Sequence, residues 1–271
     1  MNSLRRVPEK IAGIDPFLKM KVTVIDEHLI QLTQLSSINC YLVREKDGFT
    51  LVDTCYRGAQ DSILEFAAKP NPPVTQIVLT HAHVDHVGSL DALREQLPAA
   101  KLLISVRERR LYEGDFSLDA DEAQSRIWSG WFPRCTSKVD RTVAEDDLIG
   151  SLRVIAAPGH TPGQIALFDP RNRALIVGDV FSSLFGLSVA GHLNLLFPFP
   201  TLATWDAKTA FASAEKLTRL EASFLAPGHG MVFSSPSVMM KAALTRALKA
   251  AGASAKACDR PALASQTNCS S

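Results

Sequence analysis

A chain of 271 residues that is 46% hydrophobic can bury a substantial core, in one large domain or two small ones. Lys+Arg 29 against Asp+Glu 28 leaves a formal net charge of +1, which argues against nucleic acid or any other strongly charged partner. No apolar stretch reaches the roughly 18–20 residues of a membrane span, and the five scattered cysteines form no CxxC, so no membrane partner, no disulfide framework and a cytoplasmic location are expected.

In chain order, 20–34 reads as two strands about a polar turn at Asp26–Glu27–His28, and 38–43 with 49–53 as a second pair. Segment 58–69 carries Ile63, Leu64, Phe66 and Ala67 on a helical face and stops at Pro70, Pro72 and Pro73. The β-branched run 74–80 reads as a buried strand. Leu90, Leu93 and Leu97 follow at helical spacing, and 101–106 is strand-like. Segment 107–147 is polar, helical and irregular, with Trp128, Trp131 and Phe132 embedded. Strands follow at 152–157, 165–169 and 174–179. The apolar segment 183–203 carries Gly186, Gly191, Pro198 and Pro200, so it reads as a long loop. Thr204 is the expected cap of a helix burying Ala207, Phe211, Ala214 and Leu217. A strand at 223–228 and a helix over 236–251, started by Ser235–Pro236, complete the pattern. Residues 1–19 read as an N-terminal extension, 20–251 as the domain and 252–271 as a loose tail. From about residue 50 strands and helices alternate, as in an α/β sandwich with helices covering sheets.

Polar residues gather at strand ends. The run IVLT ends at His81, LRVIAAPG at His160, ALIVG at Asp179 and SFLAPG at His229. Ligand sites of α/β sheets lie at the C-terminal edge of the strands. With His83, Asp85 and His86 from THAHVDHVG, this makes five imidazoles and two carboxylates. That donor set suits Zn²⁺, with Mn²⁺ and Fe²⁺ as alternatives. Seven ligands are too many for one tetrahedral ion; they suit two ions roughly 3.5–4 Å apart sharing a carboxylate. His81 and His83, at i and i+2, point the same way on extended chain, whereas Asp85 and His86 fall where the chain turns and can face a second ion. His28 and His192, each alone, read as structural.

These motifs resemble the metallo-β-lactamase superfamily. Its THxHxDHxG appears as THAHVDHVG at 80–88, followed in order by APGHTPG at 157–163, VGD at 177–179 and APGHG at 226–230. LVDTC at 51–55 is similar to the family's VDTG, with Cys55 in place of glycine, and the resemblance covers about 20–235. It implies a four-layer αββα sandwich with a dinuclear metal centre, two Zn²⁺ per chain, at the sheet edge. By position, His81, His83 and His160 would hold one ion, and Asp85, His86 and His229 the other. Asp179 would bridge them, Asp53 would prop the histidine loop from behind, and Asp85 would also act catalytically by orienting the attacking hydroxide. The resemblance implies hydrolysis of an ester, lactone or thioester of a small, partly apolar substrate. An acyl-homoserine lactonase, a glyoxalase II-like thioesterase and a persulfide dioxygenase-like iron enzyme are the alternatives. Antibiotic hydrolysis is disfavoured by Asp179, since β-lactamases of this fold typically lack a bridging aspartate. Trp128, Trp131, Phe132, Phe185, Leu187, Leu196, Phe197 and Phe199 make 107–147 and 183–203 apolar. They are expected to wall a substrate pocket, with a homodimer contact as their alternative use.

Overall fold

The computed structural model describes residues 20–68, 72–194, 196 and 199–258, so the extension 1–19 and tail residues 259–271 lie outside the described residues. The first half of the chain runs β1 (Lys21–Val24), β2 (Leu29–Gln34), β3 (Ile38–Arg44), β4 (Phe49–Val52), α1 (Gln60–Phe66), β5 (Val74–Val78), α2 (Val84–Val87), α3 (Leu90–Gln96), β6 (Lys101–Ser105), α4 (Val106–Tyr112) and β7 (Arg141–Val143). The second half runs β8 (Leu148–Ile149), β9 (Leu152–Ala156), β10 (Ile165–Asp169), β11 (Ala174–Gly178), β12 (Phe181–Ser182), β13 (Ser188–Val189), α5 (Phe199–Ala203), α6 (Ala207–Thr218), β14 (Phe224–Pro227), β15 (Phe233–Ser234) and α7 (Ser237–Cys258).

Strands β1 to β7 form one sheet in sequence order, antiparallel up to β4 and parallel from β4 to β7. The second sheet has the order β15-β14-β11-β10-β9-β8. Strand alternation explains why two sheets stack here. Leu29, Tyr41, Val43, Val52, Val78 and Leu103 of the first sheet share one core with Val154, Ile165, Leu167, Ile176 and Ala226 of the second. Their neighbours Ile30, Leu42, Leu51, Ile77, Leu102 and Ile104 turn the other way, onto Ile63, Leu90 and Leu93 of α1 and α3. Ile155, Ala166, Leu175, Val177 and Leu225 likewise turn onto Phe211, Ala214, Leu217, Met240 and Leu244 of α6 and α7. Both faces of each sheet are covered, which is why the strands read as continuous apolar runs. Three cores therefore separate four layers, helix–sheet–sheet–helix.

The strand directions position the site. β5 and β6 run parallel, as do β11 and β14, and β9 runs antiparallel to β10, which is antiparallel to β11. The C-terminal ends of β9, β11 and β14 thus share one edge of their sheet, where ligand sites of such sheets form.

Three expectations need correction. The cap of α6 is Asp206, whose carboxylate accepts Thr209 N–H at 2.7 Å; the helix begins only at Ala207, and Thr204 lies beside the His160 ring at 3.1 Å. The last helix runs to Cys258, past the expected end at 251. Residues 183–203 are not loop throughout; β13 and α5 interrupt them. Among the described residues no helix is long and apolar enough to cross a membrane.

Candidate metal centre

The structure brings all seven proposed ligands together. Three donor groups have ligand atoms within 4.8 Å of one another: His81, His83 and His160; His81, His86 and Asp179; and Asp85, His86 and His229. His81, His83, His86, His160, Asp179 and His229 are buried, and Asp85 is half-buried in the cleft.

The segment after β5 feeds both sides because its backbone changes form. His83 is extended, with φ −70° and ψ 153°, and the next residues enter α2. Asp85 and His86 therefore leave the direction of the extended chain and reach His229, while the His86 ring stays 4.0 Å from that of His81. The His83 and His160 rings meet through Nδ1 and Nε2 at 3.0 Å. Two ligands of one tetrahedral zinc lie roughly 3.3 Å apart at ordinary Zn–N lengths, so the pair has nearly the right spacing. Asp179 lies between the groups: Oδ2 is 3.5 Å from His160 Nε2 and 3.2 Å from His229 Nε2, and Oδ1 is 3.3 Å from His86 Nε2. His229 Nε2 is also 3.2 Å from Asp85 Oδ2.

The surrounding bonds decide which nitrogen each ring offers. Asp53 accepts Thr80 N–H on Oδ1, and the Thr80 hydroxyl and His86 Nδ1–H on Oδ2, each at 2.8 Å. Because the Thr80 hydroxyl donates to Asp53, its oxygen accepts from His81 Nδ1–H, 3.1 Å away. Nδ1 of each ring is thus engaged as a donor, which leaves His81 a bare Nε2 turned inward and makes Nε2 the atom that His86 would offer to a metal. His81 Nε2, His86 Nε2 and Asp179 Oδ1 are indeed buried without a hydrogen-bond partner; the His86–Asp179 approach is off the hydrogen-bond direction. Buried polar atoms are rarely left so. Orphaned atoms aimed at one point, with a nitrogen-and-oxygen donor set, fit divalent ions.

Asn39 and Tyr41 of β3 hold the last ligand across the sheets. Asn39 Nδ2–H donates to Pro227 O at 2.9 Å and Gly230 O at 2.8 Å, and the Tyr41 hydroxyl donates to Pro227 O at 2.6 Å. Gly228 is required here: a Cβ on it would lie 2.3 Å from Asp179 Oδ1 and 2.7 Å from His86 Cε1.

The two sides differ electrostatically. Burial, reinforced by neighbouring imidazoles, holds His81 and His83 well below the ordinary histidine range and His160 at about 4, so that side is neutral. On the other side burial opposes protonation too, but the carboxylates outweigh it. Asp179, Asp53 and Asp85 raise His86, and Asp179 with Asp85 raises His229 to about 10. Despite burial, the same histidines hold Asp85 and Asp179 below the carboxylate range.

A cleft of about 410 Å³ opens over Asp85, Asp179, His83, His160 and His229. Leu35, Ile38, Tyr56, Val84, Trp131 and Ala203 wall it, and no Lys or Arg lines it among the described residues. Of the expected wall residues, Trp131 is there and Phe132 packs edge-on against His83 at 4.7 Å. The others differ. Leu187 is buried under α6 and α7, Phe185 faces a separate groove beside Met231, Leu196 and Trp128 are exposed, and the side chains of Phe197 and Phe199 lie outside the described residues. Sequence reading missed Leu35, Ile38 and Tyr56. Leu35 and Ser36, both at positive φ (48° and 62°), form the tight β2–β3 turn, closed by Ser37 N–H on Gln34 O at 3.1 Å. Two non-glycine residues in that conformation are strained, and the strain presents an apolar side chain to the cleft.

The chain belongs to the metallo-beta-lactamase superfamily, whose family model matches residues 33–229. It is similar to the uncharacterized protein YobT of Bacillus subtilis (strain 168), 42% identical over 79% of this chain and 92% of that one. It is 31% identical to a hydroxyacylglutathione hydrolase of Pseudomonas putida, over 56% of this chain and 51% of that one. Among solved structures, TTHA1623 in a di-iron-bound form aligns with a TM-score of 0.56 at 28% identity, covering 76% of this chain and 93% of that one. Membership of that superfamily and the donor cluster support a metal-dependent hydrolase.

Proposed function

We propose that the protein is a dinuclear metal-dependent hydrolase that cleaves an ester, lactone or thioester bond in a small, neutral, partly apolar substrate. The observation that carries this is the junction of two donor groups at Asp179 beneath an apolar cleft. His81, His83 and His160 would hold one ion, Asp85, His86 and His229 the other, and Asp179 both. Two divalent ions there supply Lewis acidity and a water that ionises near neutral pH. Asp85, at the cleft floor and ionised throughout the neutral range, accepts a hydrogen bond from the attacking water and orients it. Leu35, Ile38, Tyr56, Val84 and Trp131 exclude bulk water and hold the apolar part of the substrate. An anionic substrate would want a guanidinium or ammonium partner, and the cleft offers none among the described residues. This favours a neutral acyl compound over a glutathione conjugate or a phosphodiester. The di-iron neighbour supports loading with iron as well as zinc.

The test is a hydrolysis screen of the zinc- and iron-loaded protein against neutral esters, lactones and thioesters, with phosphodiesters and β-lactams alongside. Asp179→Ala and His81→Ala serve as controls. Turnover of a neutral acyl substrate that both variants abolish supports the reading; turnover that survives in both contradicts it.

A further inference from the structure

Glu108 lies outside every ligand motif, yet its carboxylate is fully buried at the site. Oε1 accepts Ala82 N–H at 2.9 Å; Oε2 accepts the Thr161 hydroxyl at 2.7 Å and Gly163 N–H at 3.0 Å. Ala82 stands between His81 and His83, and Thr161 follows His160. One carboxylate therefore grips both segments that supply the first donor group, one from each sheet. Ser105 completes the clamp: its hydroxyl donates to Gly163 O at 2.5 Å and accepts Glu108 N–H at 3.0 Å.

The local chemistry suggests that this arrangement is not incidental. Ser105-Val-Arg-Glu108 has the spacing of a capping box, in which the glutamate would reach back to the start of its own helix. Here the serine half forms, while the glutamate's hydrogen bonds go to the histidine loops. Burial raises its carboxyl to about 7 despite the donors from Thr161, Ala82 and Gly163. A buried acid at that disadvantage is a poor packing choice.

We propose that Glu108 is the positioning residue of the first metal subsite: it fixes the spacing between the His81–His83 pair and His160, and so sets the affinity of that subsite and not of the second. The inference rests on the dinuclear reading. Outer partners of metal ligands typically alter affinity by about 10–100-fold.

The experiment is a chelator-competed titration of the full-length protein with Zn²⁺, and with Co²⁺ read by absorption, since the three-imidazole and carboxylate-bearing subsites give different ligand-field spectra. Glu108→Gln is compared with wild type, with Thr161→Val, which removes one of the three bonds, and with Asp169→Asn, a buried carboxylate change elsewhere in the fold. Glu108→Gln should weaken the three-imidazole subsite about 10–100-fold and leave the second within error. Thr161→Val should weaken the same subsite by less, and Asp169→Asn should weaken neither selectively. Equal weakening of both subsites, or none in a folded Glu108→Gln, overturns the proposal. If Glu108→Gln does not fold, Thr161→Val decides: selective loss supports the proposal and unchanged affinity overturns it. If wild type itself binds no second equivalent, the dinuclear reading falls; two equivalents in wild type with no selective loss removes only the role of Glu108.

Discussion

Asp53→Asn alters one atom of a side chain and should reverse the protonation of two histidines. In the native protein Asp53 accepts three hydrogen bonds, from Thr80 N–H, the Thr80 hydroxyl and His86 Nδ1–H. An asparagine that keeps its oxygen on Thr80 N–H turns its NH₂ toward the Thr80 hydroxyl and His86 Nδ1. Both must then accept. The hydroxyl proton swings to His81 Nδ1, and each ring is left with its proton on Nε2, the atom that would face a metal ion. The opposite rotamer preserves the tautomers but sets NH₂ against the buried Thr80 N–H. An unsatisfied buried donor costs about 1–3 kcal/mol. Metal binding must force that costlier rotamer, so affinity should fall roughly 5- to 150-fold. The metal-free variant should also lose stability, because it removes the buried charge that faces His86. Chelator-competed zinc titration measures the affinity, and ¹⁵N chemical shifts of the imidazoles report the tautomers. Wild-type zinc affinity in a folded Asp53→Asn would refute this account of how the rings are oriented.

Four further outcomes follow from the same geometry. Leu35→Asn should raise stability by about 1 kcal/mol, since asparagine tolerates positive φ, while raising KM for substrates with long apolar groups; a thermal melt and an acyl-length series check both. Trp131→Ala should raise KM about tenfold with kcat little changed if the indole contributes uniform binding, and an equal fall in kcat would place it in the chemistry. The pH dependence of Glu108 has a defined sign: an acid whose pKa rises to about 7 on folding is stabilising below its unfolded value, and that stability is lost as pH rises to 7. Metal-free wild type should therefore lose about 3 kcal/mol relative to Glu108→Gln between pH ~4.5 and ~7, and a difference flat with pH in urea unfolding would contradict it. Asp206→Ala should cost about 1 kcal/mol by uncapping α6, without changing the number of ions bound.

The ligands were legible because each lies in the segment that leaves the C-terminal end of an aliphatic strand, from one residue past it at Asp179 to eight at His86, and parallel strands bring distant sequence positions to one edge. The sandwich was legible because alternate residues of each strand had to be covered on both faces. Glu108 was hidden by its neighbours: Arg107, Arg109 and Arg110 make the segment look solvated. Its spacing to Leu111 and Tyr112, both buried on the same helix face, was the available signal. The cleft walls were misjudged for another reason. The apolar aromatic segments drew attention, whereas the wall includes Leu35 and Tyr56 from turns whose conformation composition does not reveal. Asp206 rather than Thr204 caps α6 because the helix begins only at Ala207: Trp205 N–H and Asp206 N–H pair with His160 O and Gly159 O, contacts from a distant segment that hold the chain outside the helix.

The proposed hydrolytic centre depends on one carboxylate, Asp179, joining two ions. Its most direct test is titration of metal-free protein with zinc while counting bound ions and following turnover of a neutral acyl substrate. Two ions per chain, with activity rising with the second and lost in Asp179→Ala, is the predicted result; full activity at one ion per chain, or activity undiminished in Asp179→Ala, would contradict it.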